Sequence, residues 1–331
     1  MTIELDANKV WIDGCFDFTH HGHAGAILQA RRTILPPNEG ELYCGVHSDE
    51  QITINKGRPV MTSPERYEHT RSNRWCTSVI EDAPYVTQPD VLDEYGCKYV
   101  VHGDDITLDA NGEDCYQIMK DVGRFKVVKR TLGVSTTDII HRILTGIYPS
   151  VEEHGEEYYP DAESLKLYST AEDGYSKHCF VWKGDLNTVL VEGGFKIAEN
   201  DLVLVVGDFD LFHMGQIDQL ANVKTKMYAN SPKCKLIVGV TLRDFKDRNK
   251  NTIMTLKERV LSVLSCKYVD GVIIDPTDED SFETKWEIDT DPLIQSGKFS
   301  RYLTKQIIIN RIDDQRDVYI KRNEKKGIII E

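Results

Sequence analysis

Short apolar runs alternate with longer amphipathic runs along the first half of the chain. The apolar runs are five to seven residues long and rich in Val, Ile and Tyr, as buried strands are. They predict strands at residues 9–13, 41–47, 78–82, 98–102 and 125–129, and helices at residues 23–32, 65–77, 112–122 and 137–144. Strands that alternate with helices at this spacing indicate a parallel α/β sheet, whose ligands bind beyond the carboxyl ends of the strands.

The same pattern starts again in the second half of the chain. Strands are predicted at residues 201–206, 235–241 and 271–275, and helices at residues 218–226 and 256–266. Residues 146–178 lie between the two halves, lack periodicity and are acidic, so we interpret them as a linker packed partly on the surface. The predicted fold class is therefore α/β, with two tandem Rossmann-like domains at residues 1–145 and 179–331 and parallel sheets in both.

The two halves also repeat each other in sequence at a constant offset of 193 residues. Residues 14–23 align with residues 207–216, and five of the ten positions are identical. The same offset aligns residues 60–66 with residues 253–259. A shared offset at two separate places indicates a duplicated domain. The second copy is degenerate, because Gln216 stands where the first copy has a histidine.

Composition limits the function further. The net charge of −14 argues against general nucleic-acid binding, and residues 151–178 alone contribute eight acidic residues against two lysines. An anionic substrate must therefore meet a local cluster of cations. Eight scattered cysteines without a C-x-x-C pair indicate free thiols. No apolar run is long enough to span a bilayer and the start resembles no signal peptide, so we expect a cytoplasmic protein, with peripheral membrane association left open.

The histidines of residues 20–23 are the first candidate for chemistry. They follow a predicted strand and open a helix, where free backbone N–H groups and the helix dipole favour an anion. Gly22 lets a phosphate approach the backbone, and His20 and His23 can direct two donors at the same phosphate. A structural histidine pair, or two ligands of a metal site, is the alternative for this motif alone.

A second strand–helix junction of the same kind occurs at residues 130–137. Arg130 offers a planar guanidinium for phosphate oxygens, and Ser135 and Thr136 offer hydroxyls and N-terminal amides. A helix cap beside a surface arginine is the alternative. Two such junctions in one predicted domain favour phosphate binding.

Together, these two motifs resemble the signature pair of the cytidylyltransferase family of nucleotidyltransferases. The resemblance covers residues 9–145 and implies transfer of the cytidylyl group of CTP to a phosphorylated alcohol, with release of pyrophosphate. It implies Mg²⁺ bound with CTP rather than at a dedicated protein site. The implied catalytic residues are His20, His23, Lys56 and Arg130. The implied CTP-binding residues are Gly14, Cys15, Phe16, Gly22, His102, Gly103, Asp104, Arg130, Thr131, Ser135, Thr136 and Thr137.

Three of the implied roles have simple alternatives. Lys56 matches a family lysine near the α-phosphate, although a solvated loop lysine is the default for such a residue. Asp17 resembles a family aspartate close to the phosphate acceptor and, with Lys56, is predicted to bind the substrate; the matching Asp210 equally suits a role in the turn. Asp104 belongs to a Gly-Asp-Asp sequence, which by itself is a good turn.

The tandem arrangement is similar to the branch of the family that uses phosphoethanolamine. Relatives that use phosphocholine usually continue into a long basic amphipathic helix, whereas here an acidic segment and a second α/β domain follow. Phosphocholine, or an adenylyl transfer within the same superfamily, stays as the alternative. In the second copy, Asn249 matches Lys56, with Lys250 adjacent, and residues 297–304 are at best a remnant of the second motif. We therefore expect that copy to be a non-catalytic module, which with the first could form an internal pseudo-dimer; the oligomeric state stays open.

Overall fold

The computed structural model describes residues 4–131, 133–197, 201–231, 233–324 and 327, with Tyr228 and Asn230 described by their backbone alone. The chain forms two compact units. Unit 1 comprises Met1–Gly133 and Glu172–Tyr175, and unit 2 comprises Val134–Ala171 and Ser176–Glu331. No helix among the described residues has both the length and the apolar character needed to cross a membrane.

Unit 1 is built on a five-stranded sheet in which every strand pair is parallel. Its strands are β1 (Asp6–Gly14), β2 (Glu41–Val46), β3 (Ser78–Glu81), β4 (Cys97–Gly103) and β5 (Phe125–Val128). They lie in the order β3-β2-β1-β4-β5, so β1 is central. Val10 and Trp11 of β1 are fully buried, as expected for a strand covered on both faces. The predicted strands of this half are confirmed.

Five helices accompany this sheet, and their extents differ from the prediction. They are α1 (His21–Arg31), α2 (Asp49–Asn55), α3 (Ser63–Arg71), α4 (Pro89–Glu94) and α5 (Gln117–Asp121). Helices α2 and α4 lie in stretches where no helix was predicted, and α3 ends before residue 77. The helix predicted at residues 112–122 is wrong in its first half, because the Asp109 carboxylate accepts the backbone N–H groups of Asn111 and Glu113 and closes a turn.

A short segment from later in the chain completes unit 1 at the end of α1. The Tyr175 hydroxyl donates a 2.8 Å hydrogen bond to the carbonyl of Arg32. The Arg32 guanidinium lies 4.6 Å from the centroid of the Tyr175 ring. Part of the predicted linker therefore packs on the helix whose N-terminus carries the histidine motif.

Unit 2 has a six-stranded sheet in the order β11-β8-β9-β10-β6-β7. Its strands are β6 (Phe180–Lys183), β7 (Val189–Val191), β8 (Leu202–Gly207), β9 (Lys235–Val240), β10 (Gly271–Ile274) and β11 (Thr284–Glu287). Strands β8, β9, β10 and β11 correspond to β1, β2, β3 and β4. The sheet order holds no counterpart of β5 among the described residues. The strand pairs of this sheet are parallel, as predicted, except that the edge strand β7 pairs antiparallel with β6.

Seven helices are described in unit 2: α6 (Thr136–Thr145), α7 (Val151–His154), α8 (Ala162–Tyr168), α9 (Met214–Asn230), α10 (Leu256–Leu264), α11 (Lys305–Asp313) and α12 (Arg316–Glu324). Helix α6, predicted to end the first domain, belongs here because the Arg142 guanidinium donates to both oxygens of Glu258, at 2.7 and 3.1 Å. The segment predicted as a solvated linker contains α7 and α8 and buries Tyr158, Leu165 and Tyr168, so most of it is part of the packed unit.

Candidate active site

The chain leaves β1 through a turn in an uncommon backbone conformation. Phe16, Phe18 and Thr19 have positive φ angles of 49°, 65° and 38°. For residues other than glycine this conformation costs of order 1 kcal/mol or more, and it is frequent at functional sites. All three side chains are buried, so packing holds the turn in place. The turn delivers His20 to the N-cap position of α1.

His20 caps the N-terminus of α1 through its ring. Its Nδ1 atom accepts the backbone N–H of Gly22 at 3.2 Å. In a neutral imidazole only one nitrogen carries a proton, so this contact leaves the proton on Nε2. That Nε2 atom is buried and has no hydrogen-bond partner in the described part of the chain. The helix N-terminus therefore presents an N–H donor that a ligand can use.

His23 lies one helical turn further on and stacks on His20. The two ring centroids are 4.0 Å apart and the ring planes differ by 23°. The Phe16 ring packs edge-on against His23 at 5.7 Å. The strained turn thus fixes both imidazoles, and the Nδ1 atom of His23 is also buried without a partner among the described residues. Paired donors in one place are what a phosphoryl group in transfer requires.

The electrostatics of this pair favour an anionic ligand. Burial lowers the pKa of His23 to about 3, and the charges of Lys56 and Arg130 add to the shift. Burial likewise holds the pKa of His20 well below its usual range, followed by the effects of its histidine neighbours and Arg130. Both rings are therefore neutral near pH 7 and lie within the field of two cations. A phosphate would offset the cationic charge that adds to the effect of burial.

Lys56 and Arg130 reach the site from different elements. Lys56 directly follows α2, and its ammonium lies 5.6 Å from the centroid of the Tyr85 ring. Arg130 follows β5; its backbone N–H donates to Asp104 at 3.1 Å, and its guanidinium lies 3.4 Å from an oxygen of Asp105. Since both cations act on the pKa of His23, the structure brings the four predicted catalytic residues into one neighbourhood.

Asp17 has a structural task. Its two carboxylate oxygens accept the backbone N–H groups of Val60 and Met61, each at 3.0 Å. In unit 2, Asp210 accepts the N–H groups of Ile253 and Met254 in the same way. Because the degenerate copy keeps this contact, it belongs to the fold. A role of Asp17 in binding substrate stays a prediction.

The predicted nucleotide residues of β4 lie at its carboxyl end. The His102 ring packs on Tyr116 with centroids 4.5 Å apart, and its Nε2 lies 3.4 Å from the Thr107 hydroxyl. Gly103 follows; a Cβ atom there would stand 2.7 Å from an oxygen of Asp105. Glycine therefore leaves room for the turn that carries Asp104, whose carboxylate accepts from Arg130. Gly14 ends the neighbouring β1, with Cys15 after it.

The second predicted motif is divided between the two units. The first half of the motif is described up to Thr131, because Leu132 lies outside the described residues. Ser135 caps α6 in unit 2, where its hydroxyl oxygen accepts the Asp138 N–H at 3.1 Å. Thr136 and Thr137 form the first turn of that helix. Their predicted contact with CTP stays a prediction.

A buried carboxylate that sequence reasoning missed lies one residue before Gly14. Asp13 is 4% exposed and accepts hydrogen bonds from the Trp11 indole and from the hydroxyls of Thr87 and Tyr116. These donors come from three different parts of the unit. The signal in the sequence was a carboxylate at the carboxyl end of a central strand, where ligands of parallel sheets bind.

The corresponding cleft of unit 2 is filled by its own side chains. Gln216, which replaces His23, donates to Asp289 at 2.9 Å, and Gln219 donates to the other oxygen of the same carboxylate. Strand register places Ile288 where unit 1 has Gly103. The Ile288 side chain lies over Gly207, so close that a Cβ atom there would be 2.1 Å away.

A lysine takes up the acidic part of the same cleft. The Lys305 ammonium lies 2.8 Å from Asp244, 3.4 Å from Asp208 and 3.6 Å from Asp210. Burial by itself lowers the pKa of Lys305, but the charges of these carboxylates outweigh it and the pKa is raised. Asp208 stands where unit 1 has Cys15. Carboxylates at this place repel a triphosphate.

The fold and the site together define a class of protein. A parallel α/β sheet with paired imidazoles at the first helix N-terminus, flanked by a lysine and an arginine, is the arrangement of a nucleotidyltransferase. A cytidylyltransferase-like family model matches residues 11–142 and 204–316, which confirms the predicted duplication. The chain belongs to this cytidylyltransferase-like family.

Individual relatives are similar over the whole chain. Ethanolamine-phosphate cytidylyltransferase of Saccharomyces cerevisiae is 61% identical, and the alignment covers 100% of both chains. The protein of the same name from Dictyostelium discoideum is 35% identical over 96% of this chain and 94% of its own. Choline-phosphate cytidylyltransferase A of Mus musculus is 40% identical, but the match covers 41% of this chain and 36% of its own.

Proposed function

We propose that this chain transfers the cytidylyl group of CTP to phosphoethanolamine, giving CDP-ethanolamine and pyrophosphate. The observation that carries the proposal is the 61% identity, over both whole chains, to the yeast ethanolamine-phosphate cytidylyltransferase. The similarity to a choline-phosphate cytidylyltransferase covers 41% of the chain. The geometry of unit 1 supplies donors for the reaction.

The reaction needs placement and neutralisation of charge more than proton transfer. A phosphate oxygen of phosphoethanolamine attacks the α-phosphorus of CTP, and the bond from that phosphorus to the bridging oxygen of pyrophosphate breaks. Because the nucleophile is already an oxyanion, no general base is required. The N–H donor of His20, together with His23, Lys56 and Arg130, stabilises the charge on the phosphoryl oxygens and on the departing pyrophosphate.

Mg²⁺ is proposed to arrive with the nucleotide. The predicted catalytic side chains are two imidazoles and two cations, which suit phosphate oxygens and offer no oxygen ligand of the kind that Mg²⁺ prefers. No group of three or more metal-ligating side chains occurs among the described residues. When bound to the triphosphate, Mg²⁺ neutralises part of its charge. Lys56 and Arg130 neutralise the rest.

Asp13 is proposed to attract the ammonium group of phosphoethanolamine. Its carboxylate is buried at the carboxyl end of β1, beside the ring of Tyr116, and all of its hydrogen-bond donors are neutral. A primary ammonium can donate hydrogen bonds to this carboxylate, whereas a trimethylammonium cannot. Asp13→Asn should raise the KM for phosphoethanolamine about tenfold and leave the KM for CTP within about twofold. Equal changes in both constants would refute this role.

Unit 2 is proposed to be non-catalytic. Its cleft holds Gln216 in place of His23, the side chain of Ile288, and the Lys305 ion-pair cluster. Gln216 stands at the place of a donor of unit 1, Ile288 stands at the place of Gly103, and Lys305 pairs with Asp208, which stands at the place of Cys15. We also propose a cytoplasmic location, since the eight cysteines are scattered along the chain without a C-x-x-C pair, a pattern typical of proteins in reducing compartments.

The direct test is pyrophosphate release by the purified chain with CTP and Mg²⁺. Phosphoethanolamine and phosphocholine are compared at equal concentrations, with ATP in place of CTP as a further arm. We expect strong preference for CTP and phosphoethanolamine. Preference for phosphocholine would overturn the acceptor, and release only with ATP would overturn the nucleotide.

A further inference from the structure

Gln29 joins the histidine helix to the strand that leads to the catalytic arginine. Its side-chain amide donates a 2.7 Å hydrogen bond to the backbone carbonyl of Lys129. The two residues are 100 positions apart in the chain. No motif of the sequence includes Gln29, and the proposed mechanism does not use it.

The position of this bond relates it to the reacting groups. Gln29 lies six residues after His23 on α1, which is about 9 Å along the helix axis. The Lys129 carbonyl belongs to the peptide bond whose nitrogen is that of Arg130. A single hydrogen bond therefore fixes the backbone that carries the guanidinium against the helix that carries both imidazoles.

Arg130 depends on such anchors because its side chain is half exposed. The Arg130 side chain has 50% of its surface accessible to solvent. The nitrogen–oxygen distance of its ion pair with Asp105 is 3.4 Å, and the Asp105 side chain is 45% accessible. Ion pairs of this kind hold a side chain weakly. Two hydrogen bonds of the backbone, one to Asp104 and one from Gln29, fix the main-chain position from which the Arg130 side chain extends.

We propose that Gln29 is a positioning residue for the proposed cytidylyl transfer: by holding the Lys129 carbonyl, it places Arg130 at the correct distance from His20 and His23. It touches no substrate. Its effect arises because catalysis of this type consists of fixed donors around a phosphoryl group, and a displacement of about 1 Å can cost up to 10²-fold in rate.

Unit 2 contains a matched control. Asn222, at the offset of 193 from Gln29, donates from its side-chain amide to the carbonyl of Ile294 at 2.8 Å. It leaves α9, the counterpart of α1, and no arginine follows Ile294 directly. This bond is of the same type, from a side-chain amide to a backbone carbonyl, and has no catalytic partner.

The experiment compares Gln29→Met and Asn222→Leu in the full chain. Methionine keeps the length of glutamine and removes the donor. For Gln29→Met we expect kcat/KM for CTP to fall about tenfold, with Tm within about 3 °C of wild type. For Asn222→Leu we expect a similar shift of Tm and unchanged kinetics. Gln29→Met kinetics within twofold of wild type would overturn the proposal.

A double-mutant cycle separates positioning from a general loss of structure. If Gln29 acts through Arg130, then Gln29→Met should have no further effect on kcat/KM in an Arg130→Ala background. Independent effects of the two substitutions that multiply in kcat/KM would overturn the proposal, even if Gln29→Met alone lowers kcat/KM. The inference rests on the proposed function, and the two fail differently. An inactive wild type refutes the function, whereas an active wild type with an equally active Gln29→Met refutes the positioning role.

Discussion

His20 and His23 lie one helical turn apart, and a backbone contact decides which ring nitrogen of His20 carries the proton. The sequence predicted both as phosphate donors from their place at a helix start. It could not predict which nitrogen of His20 carries the proton, because the Gly22 N–H decides that and its position depends on the turn before it. Nor could it predict that both rings are neutral, since that follows from burial beside Lys56 and Arg130.

Removal of one imidazole should abolish useful turnover. For His23→Ala we expect kcat to fall about 10²–10³-fold, because one preorganised donor to the phosphoryl group is lost. Steady-state pyrophosphate release and circular dichroism measure activity and folding separately. His213→Ala in unit 2 is the control and should keep near-normal turnover. A His23→Ala variant with normal turnover would show that the assignment is wrong.

The buried histidines also predict how stability depends on pH. The pKa of His23 is about 3 in the folded chain, against about 6.5 when unfolded, so between these values only the unfolded chain binds the proton. Stability is therefore full above pH 6.5 and falls as the pH decreases, by up to about 1.4 kcal/mol per pH unit for one histidine. Urea midpoints from pH 7.5 to 5 should fall less steeply for His23→Gln than for wild type. Parallel curves would contradict this.

The two copies share a framework that links elements of each unit. Arg66 donates to the carbonyls of Met61 and Cys15, and Arg259 repeats this with Met254 and Asp208. Both α3 and α10 begin with a capping box. The sequence predicted these equivalences, because the same residue types recur at the 193 offset.

Asp17 and Asp210 allow the framework to be tested separately from catalysis. Asparagine keeps the shape but accepts through one oxygen only, which leaves one buried N–H unpaired at a cost of about 1–3 kcal/mol. Asp17→Asn and Asp210→Asn should therefore lower the free energy of unfolding to a similar extent. Only Asp17→Asn should lower kcat, through the loop that follows Lys56. Unchanged kinetics for Asp17→Asn would separate that loop from the reaction.

The elements that the sequence failed to predict are short or polar. Helices α2 and α4 have seven and six residues, too few for a periodic apolar face. Strand β11 has four residues, of which Trp286 is apolar and the other three are polar or charged. Helix α8 was not predicted because it lies in an acidic stretch. Its charged residues face solvent, whereas Leu165 and Tyr168 are buried. The local sequence pattern cannot predict such elements, because tertiary packing defines them.

At the scale of the whole molecule, the two copies carry different side chains at equivalent places of their sites. The sequence indicates this difference at Gln216, which stands where the first copy has His23. It does not indicate Ile288 and Lys305, because the two halves no longer align at a single offset there, and only strand register equates Ile288 with Gly103. Three groups from three elements close the cleft.

The chain should therefore bind one CTP. Equilibrium dialysis with labelled CTP and Mg²⁺, without acceptor, is expected to give one nucleotide per chain. Arg130→Ala should weaken that binding, whereas Lys250→Ala should leave it unchanged if unit 2, as proposed, contributes no site. A second equivalent of CTP that survives Arg130→Ala would show that the cleft of unit 2 opens.

The strained turn is present in both copies. Phe209 and Leu211 have φ angles of 52°, as Phe16 and Phe18 are left-handed in unit 1, and Asp275 likewise repeats Asp82. Unit 2 is proposed to be non-catalytic, so no reaction there would benefit from that strain. In evolutionary terms, the two halves inherited the turn from a common ancestor, and the degenerate half has kept it as a condition of folding. Design of a smaller enzyme on this scaffold must therefore retain the turn even where its histidines are discarded.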